Sequence, residues 1–245
     1  MDSSPLRIYI GWDSTEAQCA DVLAHSIITR ASIPVEIIYL KLADVELDRP
    51  RDPLQSTEFT YSRFLIPYLE SFFGTVLFMD CDMVCLGDIA ELASLDMTGL
   101  ALRVVKHNHK PKETTKMDGA IQTVYPRKNW SSVMLMKCEN LRLWNMWTVR
   151  NASGAYLHQF RGVPDEEVGK LPAEWNVLDR WKEGTKLLHY TSGGPWHKAY
   201  KDHPDAGIWF SERQLMIRHC HTELQNERSK RRPNKVWKST VKSNL

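Results

Sequence analysis

Short apolar runs and one-sided helical patterns alternate along the first third of the chain. Leu6–Ile10 is an apolar run that ends in Gly11-Trp12-Asp13. Between Ser14 and Ser32, the residues Ala17, Ala20, Leu23, Ala24, Ile27 and Ile28 recur on one helical face. Asp13, with Glu16 three residues on, reads as a capping pair at the start of that helix. Pro34 follows its end, and Val35–Leu40 is a second apolar run. Strand, helix, strand is the unit of a parallel sheet.

The same reading continues with less regularity. Asp48–Pro53 is charged and holds proline, so it is a loop; Tyr61–Phe73 predicts a helix disturbed at Pro67. Thr75–Met79 is a third strand that runs into Asp80. Gly87-Asp88-Ile89 turns the chain, Ala90–Leu95 is a short helix or turn, and Gly99–Val105 is a fourth strand. Residues His107–Arg127 are polar and aperiodic, a length of loop that suits a lid over a site. Val133–Met136 is another strand and Leu141–Val149 a helix. Past Asn151 the pattern breaks into short pieces with Gly and Pro.

Composition narrows the class. The 245 residues are 42% hydrophobic and 25% charged, which is ordinary for a water-soluble globular chain able to bury a sizeable core. No apolar stretch approaches the roughly 18–20 residues that span a bilayer, and the polar start Met1–Pro5 carries no signal-like pattern. Five cysteines, an odd number without framework spacing, suit reduced thiols and a cytoplasmic setting. The net charge of +2 conceals an asymmetry. From His221 to Leu245, seven Lys/Arg face two Glu, a local charge of +5, leaving about −3 for the rest. Residues 221–245 are therefore expected to form a basic, flexible tail after a single domain over residues 1–220. Trp237 within it suggests peripheral contact with an anionic membrane face. Nothing in the pattern argues for nucleic acid as a partner.

The chemistry concentrates at strand ends, where open α/β sheets bind ligands. Asp80-Cys81-Asp82 places two carboxylates one residue apart at the tip of a buried strand. Such a pair suits Mg²⁺ or Mn²⁺ bridged to substrate phosphate; the plain alternative is two aspartates capping a turn. Gly11-Trp12-Asp13 and Lys106-His107 stand at comparable ends. His189-Tyr190-Thr191-Ser192-Gly193-Gly194-Pro195-Trp196 offers an imidazole for a metal already held by carboxylates, and the Gly193-Gly194 pair lets backbone approach a phosphate closely. Asp13 serves equally well as a simple helix cap.

In their order along the chain these segments resemble the family 8 glycosyltransferases. The resemblance spans residue 6 to about 200. It runs through Gly11-Trp12-Asp13, Tyr61–Pro67, Phe78–Asp82, Gly87-Asp88-Ile89, Ser131-Ser132-Val133, Leu171–Asn176 and His189–Trp196. It implies an α/β fold of GT-A type, Rossmann-like, with a mostly parallel central sheet flanked by helices. It also implies a metal-dependent retaining glycosyltransferase that moves a sugar from a nucleotide-sugar, usually a UDP-sugar, with Mn²⁺ or Mg²⁺. Asp80, Asp82 and His189 would be the metal ligands. Gly11, Trp12 and Asp13 would lie against base and ribose, and Arg63 would support the diphosphate or Asp80. Gly193 and Gly194 would border the donor. Asp165 would face the sugar or the acceptor, which is open among glycan, lipid, protein and small molecule.

Three positions depart from the family pattern. Gly194 stands where the family has a phosphate-contacting lysine, and Lys198 and Lys106 are the candidates to supply that charge. Trp130, with Asn129 one earlier, precedes Ser131 in place of the family's Asn. Pro164-Asp165-Glu166-Glu167 replaces its Asp-Gln-Asp. A non-catalytic nucleotide- or sugar-binding module and a nucleotidyltransferase are the competing functions. The absence of a Gly-x-x-x-x-Gly-Lys-Ser/Thr loop argues against a kinase.

Overall fold

A computed structural model describes residues 4–53, 55–108, 115–116, 120–121 and 126–230. In chain order the strands are β1 (Leu6–Gly11), β2 (Val35–Leu40), β3 (Thr75–Met79), β4 (Met83–Cys85), β5 (Leu102–Val104), β6 (Thr115–Lys116), β7 (Ala120–Ile121), β8 (Val133–Lys137), β9 (Val168–Lys170), β10 (Val177–Leu178) and β11 (Leu187–His189). The α-helices are α1 (Ala17–Ile28), α2 (Ile66–Leu69), α3 (Ala90–Ala93), α4 (Met146–Asn151), α5 (Gly154–His158) and α6 (Ala206–Lys230).

The central sheet has the strand order β2-β1-β3-β8-β5-β9. β1 is parallel to both β2 and β3, and β5 is parallel to β9; β8 alone runs antiparallel, between β3 and β5. The carboxyl ends of β1, β3, β5 and β9 therefore share one edge with the start of β8. A smaller sheet, β10-β11-β4, pairs His189 with Met83.

The strands form because their residues bury on both faces. Ile8, Ile10, Leu77, Phe78, Met79 and Val133–Met136 are all inaccessible to solvent. Such continuous apolar strands belong in a sheet covered on both sides. α1 buries Cys19, Ala20, Val22, Leu23 and Ile27 against β4 and α6.

Some local expectations change. The Asp13/Glu16 capping pair does not form: α1 starts at Ala17, and Glu16 makes no cap hydrogen bond. Asp13 instead closes the preceding turn, and Glu16 points inward. The segment after Tyr61 is a 3₁₀ turn, Ser62–Leu65, leading into the single turn of α2. The predicted helix Leu141–Val149 begins only at Met146, because Asn145 caps it by accepting from the Thr148 N–H at 3.0 Å. Most of the polar stretch 107–127, the expected lid, lies outside the described residues. α6 runs across the 220/221 boundary as far as Lys230; the remainder of the basic tail, residues 231–245, lies outside the described residues.

Candidate active site

Three residues, Asp80, Cys81 and Asp82, carry the chain from the end of β3 in the large sheet to the start of β4 in the small one. The Asp80 N–H donates to the Ser132 carbonyl at 2.9 Å, and the Tyr190 N–H donates to the Asp82 carbonyl at 2.9 Å. These bonds fix the short link from both sides. Cys81 is fully buried between the aspartates. Burial, with Glu16 and Asp82 beside it, pushes its thiol far up, so it stays a protonated packing group.

Asp80, Asp82 and His189 converge: one ligand atom from each lies within 4.8 Å of the others. The His189 Nε2 stands 3.1 Å from Asp82 Oδ1. Its other nitrogen, Nδ1, is 2.9 Å from Asn176 Oδ1. The Asn176 amide donates to Ser132 Oγ at 2.8 Å, which donates to the Asn129 carbonyl at 2.7 Å. This chain orients the Asn176 oxygen toward His189, so Nδ1 carries a proton and Nε2 faces the carboxylates. Burial works against charging the imidazole, but Asp82, Asp80 and Asp179 outweigh it and raise its pKa. Two carboxylates and an oriented imidazole form an open three-ligand set. Such a set fits Mn²⁺ or Mg²⁺ with coordination positions left for phosphate oxygens.

Arg63 is buried beside this cluster. Its Nη1 is 2.7 Å from Asp80 Oδ1 and donates to the Ser131 carbonyl at 3.0 Å. The guanidinium lies 5.0 Å from each of the Phe59 and Phe78 ring centres, a position that suits a planar cation. A small polar cavity opens here, bordered by Glu16, Thr57, Phe59, Arg63, Asp80, Asp82, Asn129, His189 and Thr191.

The remaining expected residues fall at varying distances from the cluster. Gly11 lies behind Phe59: a Cβ there would come within 2.3 Å of the ring. Asp13 is buried and holds the Thr15 N–H and the Glu58 N–H, each at 2.9 Å. Trp12 sits at the mouth of β1 with Lys41 Nζ 5.0 Å from its ring centre. The space beside Gly193 and Gly194 is filled by aromatic rings. A Cβ on Gly194 would meet Trp196 at 2.0 Å and one on Gly193 would meet Tyr200 at 2.5 Å. Asp165 is not part of the cavity wall; it is exposed and paired with Arg127.

Three contributors were not legible in the sequence pattern. Glu16, 2% exposed, accepts from Trp196 Nε1 and His197 Nε2, both at 2.9 Å, and so ties α1 to the closing loop. Asp179 holds that loop too, accepting from Thr191 Oγ1 at 2.9 Å and the Ser192 N–H at 2.8 Å. His158 Nδ1 is 2.8 Å from Ser131 Oγ; burial and the Arg63 charge push its pKa down to about 3. Asn176 was at least visible, as the last residue of Leu171–Asn176.

The sequence profile of Glycosyl transferase family 8 matches residues 13–199. The chain belongs to that family. Protein CDI of Arabidopsis thaliana is 42% identical over 240 residues, with 92% of each chain covered. The solved galactosyltransferase LgtC, in complex with donor and acceptor sugar analogs, superposes with a TM-score of 0.55 at 14% identity. The match covers 86% of this chain and 96% of that one. The bifunctional WbbM enzyme matches with a TM-score of 0.53 at 17% identity; 86% of this chain is covered, and it spans about half (52%) of WbbM. GlyE of Streptococcus pneumoniae TIGR4 matches with a TM-score of 0.54 at 12% identity, over 90% of this chain and 64% of that one. At such identities the structural likeness concerns the fold. This family 8 glycosyltransferase has the GT-A fold, an α/β domain whose mostly parallel sheet is flanked by helices. Among the described residues, no helix is long and apolar enough to cross a membrane.

Proposed function

We propose that this glycosyltransferase transfers a sugar from a nucleotide-sugar, a UDP-sugar in the first instance, with retention of anomeric configuration and with Mn²⁺ or Mg²⁺. The observation that carries the reading is the convergence of Asp80, Asp82 and the Asn176-oriented His189 within 4.8 Å. When bound, the metal would stabilise the negative charge that develops on the departing nucleoside diphosphate. Asp80, Asp82 and His189 would hold it. Arg63 would brace Asp80 and face the diphosphate.

On this reading Gly11, Trp12 and Asp13 border base and ribose, Gly193 and Gly194 lie along the donor, and Asp165 stands toward the acceptor side. The likeness to LgtC, whose structure carries donor and acceptor sugar analogs, supports a cleft that takes both. The acceptor hydroxyl would attack from the face of the leaving phosphate, whose oxygen takes its proton. Glu16, the other carboxylate on the cavity wall, already accepts from Trp196 and His197, which suits it to a holding role rather than to nucleophilic attack. We also propose a single catalytic domain over residues 1–220, with the basic tail as a peripheral membrane contact, and a cytoplasmic location. Four buried free thiols suit a reducing compartment.

The test is calorimetric titration of UDP, with and without Mn²⁺, on wild type and Asp82→Ala. Binding that needs metal and disappears in the variant supports the reading. No binding under any condition sinks the UDP assignment and moves the search to other nucleotides.

A further inference from the structure

The turn 127–132 connects the metal-ligand cluster to a second group of charges. Arg127 (φ +61°) and Asn129 (φ +63°) are both left-handed although neither is glycine. Asparagine enters that conformation readily, whereas for Arg127 it costs energy that surrounding contacts offset. The effect is to split the turn's side chains between two destinations. Asn129 borders the cavity, and the Ser131 carbonyl receives Arg63. Arg127 and Trp130 join Lys106 at the carboxyl end of β5.

The arrangement around Trp130 is built. Its ring centre lies 5.3 Å from the Arg127 guanidinium and 5.6 Å from Lys106 Nζ, and its Nε1 donates to the His107 carbonyl at 2.9 Å. Arg127 is itself committed: it donates to the Gln159 carbonyl at 2.8 Å and pairs with Asp165. Lys170 ends β9, the strand parallel to β5, opposite Val104. Lys106 and Lys170 thus occupy the ligand-binding edge of adjacent strands. Among the described residues, neither forms an ion pair. Burial, Lys170 and Arg127 all lower the pKa of the Lys106 ammonium, and only Asp165 opposes them. Like charges gathered at the carboxyl ends of two adjacent parallel strands attract an anion from solution.

We propose that Lys106 and Lys170 bind an anionic group of the phosphate class on the sugar acceptor, with Trp130 and Arg127 as the frame that holds Lys106 in place. This rests on the glycosyltransferase reading and names the acceptor's chemical class. Lysine ammoniums bind phosphate as compact point charges, each with three donors.

The experiment titrates glucose 6-phosphate, glucose and phosphatidylinositol vesicles onto the full chain, with and without saturating UDP and Mg²⁺. Wild type should bind at least one phosphate-bearing probe on the order of tenfold more tightly than glucose. Lys106→Met with Lys170→Met should abolish that preference, and Lys106→Arg should keep it. UDP affinity should stay within about twofold in all three proteins. A preference for glucose 6-phosphate identifies a soluble phosphorylated acceptor, and one confined to vesicles identifies a lipid headgroup. Equal binding of phosphate-bearing and neutral probes overturns the proposal, as does an unchanged preference in the double variant. Loss of UDP affinity in the double variant also overturns it, since the lysines would then serve the donor diphosphate. Failure of UDP to bind any of the proteins sinks the donor reading instead, while the arms without UDP still decide the acceptor charge.

Discussion

Asn176 Oδ1 lies 2.9 Å from His189 Nδ1, and that contact decides which nitrogen of His189 faces Asp82. Asn176→Leu removes the acceptor and leaves Ser132 Oγ and the imidazole without their shared partner. Metal affinity should fall about 10–100-fold, the usual effect of losing the group that orients a ligating histidine. Calorimetric Mn²⁺ titration on a variant with unchanged circular dichroism checks this. Unaltered affinity would remove His189 from the ligand set.

Arg63 and Asp80 form a largely buried pair, with side-chain exposures of 6% and 17%. Arg63→Met removes the guanidinium that neutralises this carboxylate and packs over the Phe59 and Phe78 rings. A loss of about 3 kcal/mol in stability is expected. Saturating Mn²⁺ should recover more stability in the variant than it adds to wild type, because the cation takes over as Asp80's partner. Thermal unfolding of both proteins, with and without Mn²⁺, makes the comparison; equal metal-induced shifts would mean that Asp80 does not meet the ion.

Gly194 has a local packing reason. The Trp196 ring occupies the space where a Cβ at Gly194 would lie, at 2.0 Å. Gly194→Lys therefore should not restore a phosphate contact. It should destabilise the chain by about 1–3 kcal/mol, as overpacking does, with no tighter UDP binding. A stable variant with improved UDP affinity would show that Trp196 swings aside.

His158 should make stability depend on pH. Its folded pKa is pushed down to about 3 by burial and by Arg63, whereas an unfolded histidine titrates near 6.5. Between those values the unfolded chain binds a proton that the folded chain refuses, so stability falls as pH falls through that window. His158 is only partly buried as a residue, so the contribution lost by pH 5 is on the order of 1 kcal/mol. His158→Gln should flatten this part of a denaturant-midpoint profile against pH. A profile unchanged by the substitution would mean that His158 titrates normally.

Local pattern was enough for β1, α1, β2 and β3, because each satisfies its own periodicity within a few residues. It failed at Glu16, whose place three residues after Asp13 mimics a capping box. The carboxylate turns inward because Trp196 and His197, some 180 residues later in the chain, supply its donors. It failed again at Leu141–Trp144, where core burial of Leu141 and Trp144 imitates a helical stripe while Asn145 sets the true start of α4. The resemblance to family 8 rested on the order of short segments, and the aspartates, Arg63 and His189 that it singled out do meet in space.

By itself the sequence determined the alternation of strands and helices, the family, and the residue types able to hold a metal. Those follow from side-chain periodicity and from which chemical groups stand at strand ends. The tertiary structure alone decided that β8 runs antiparallel between β3 and β5. That choice brings Ser131 and Ser132 to the edge where Asp80 and Lys106 end their strands. It also decided that Asn176 orients His189 and that Trp196 fills the space over Gly194. These relationships join residues far apart in the chain through burial and hydrogen bonding, and no local pattern encodes a partner that the fold has yet to bring near.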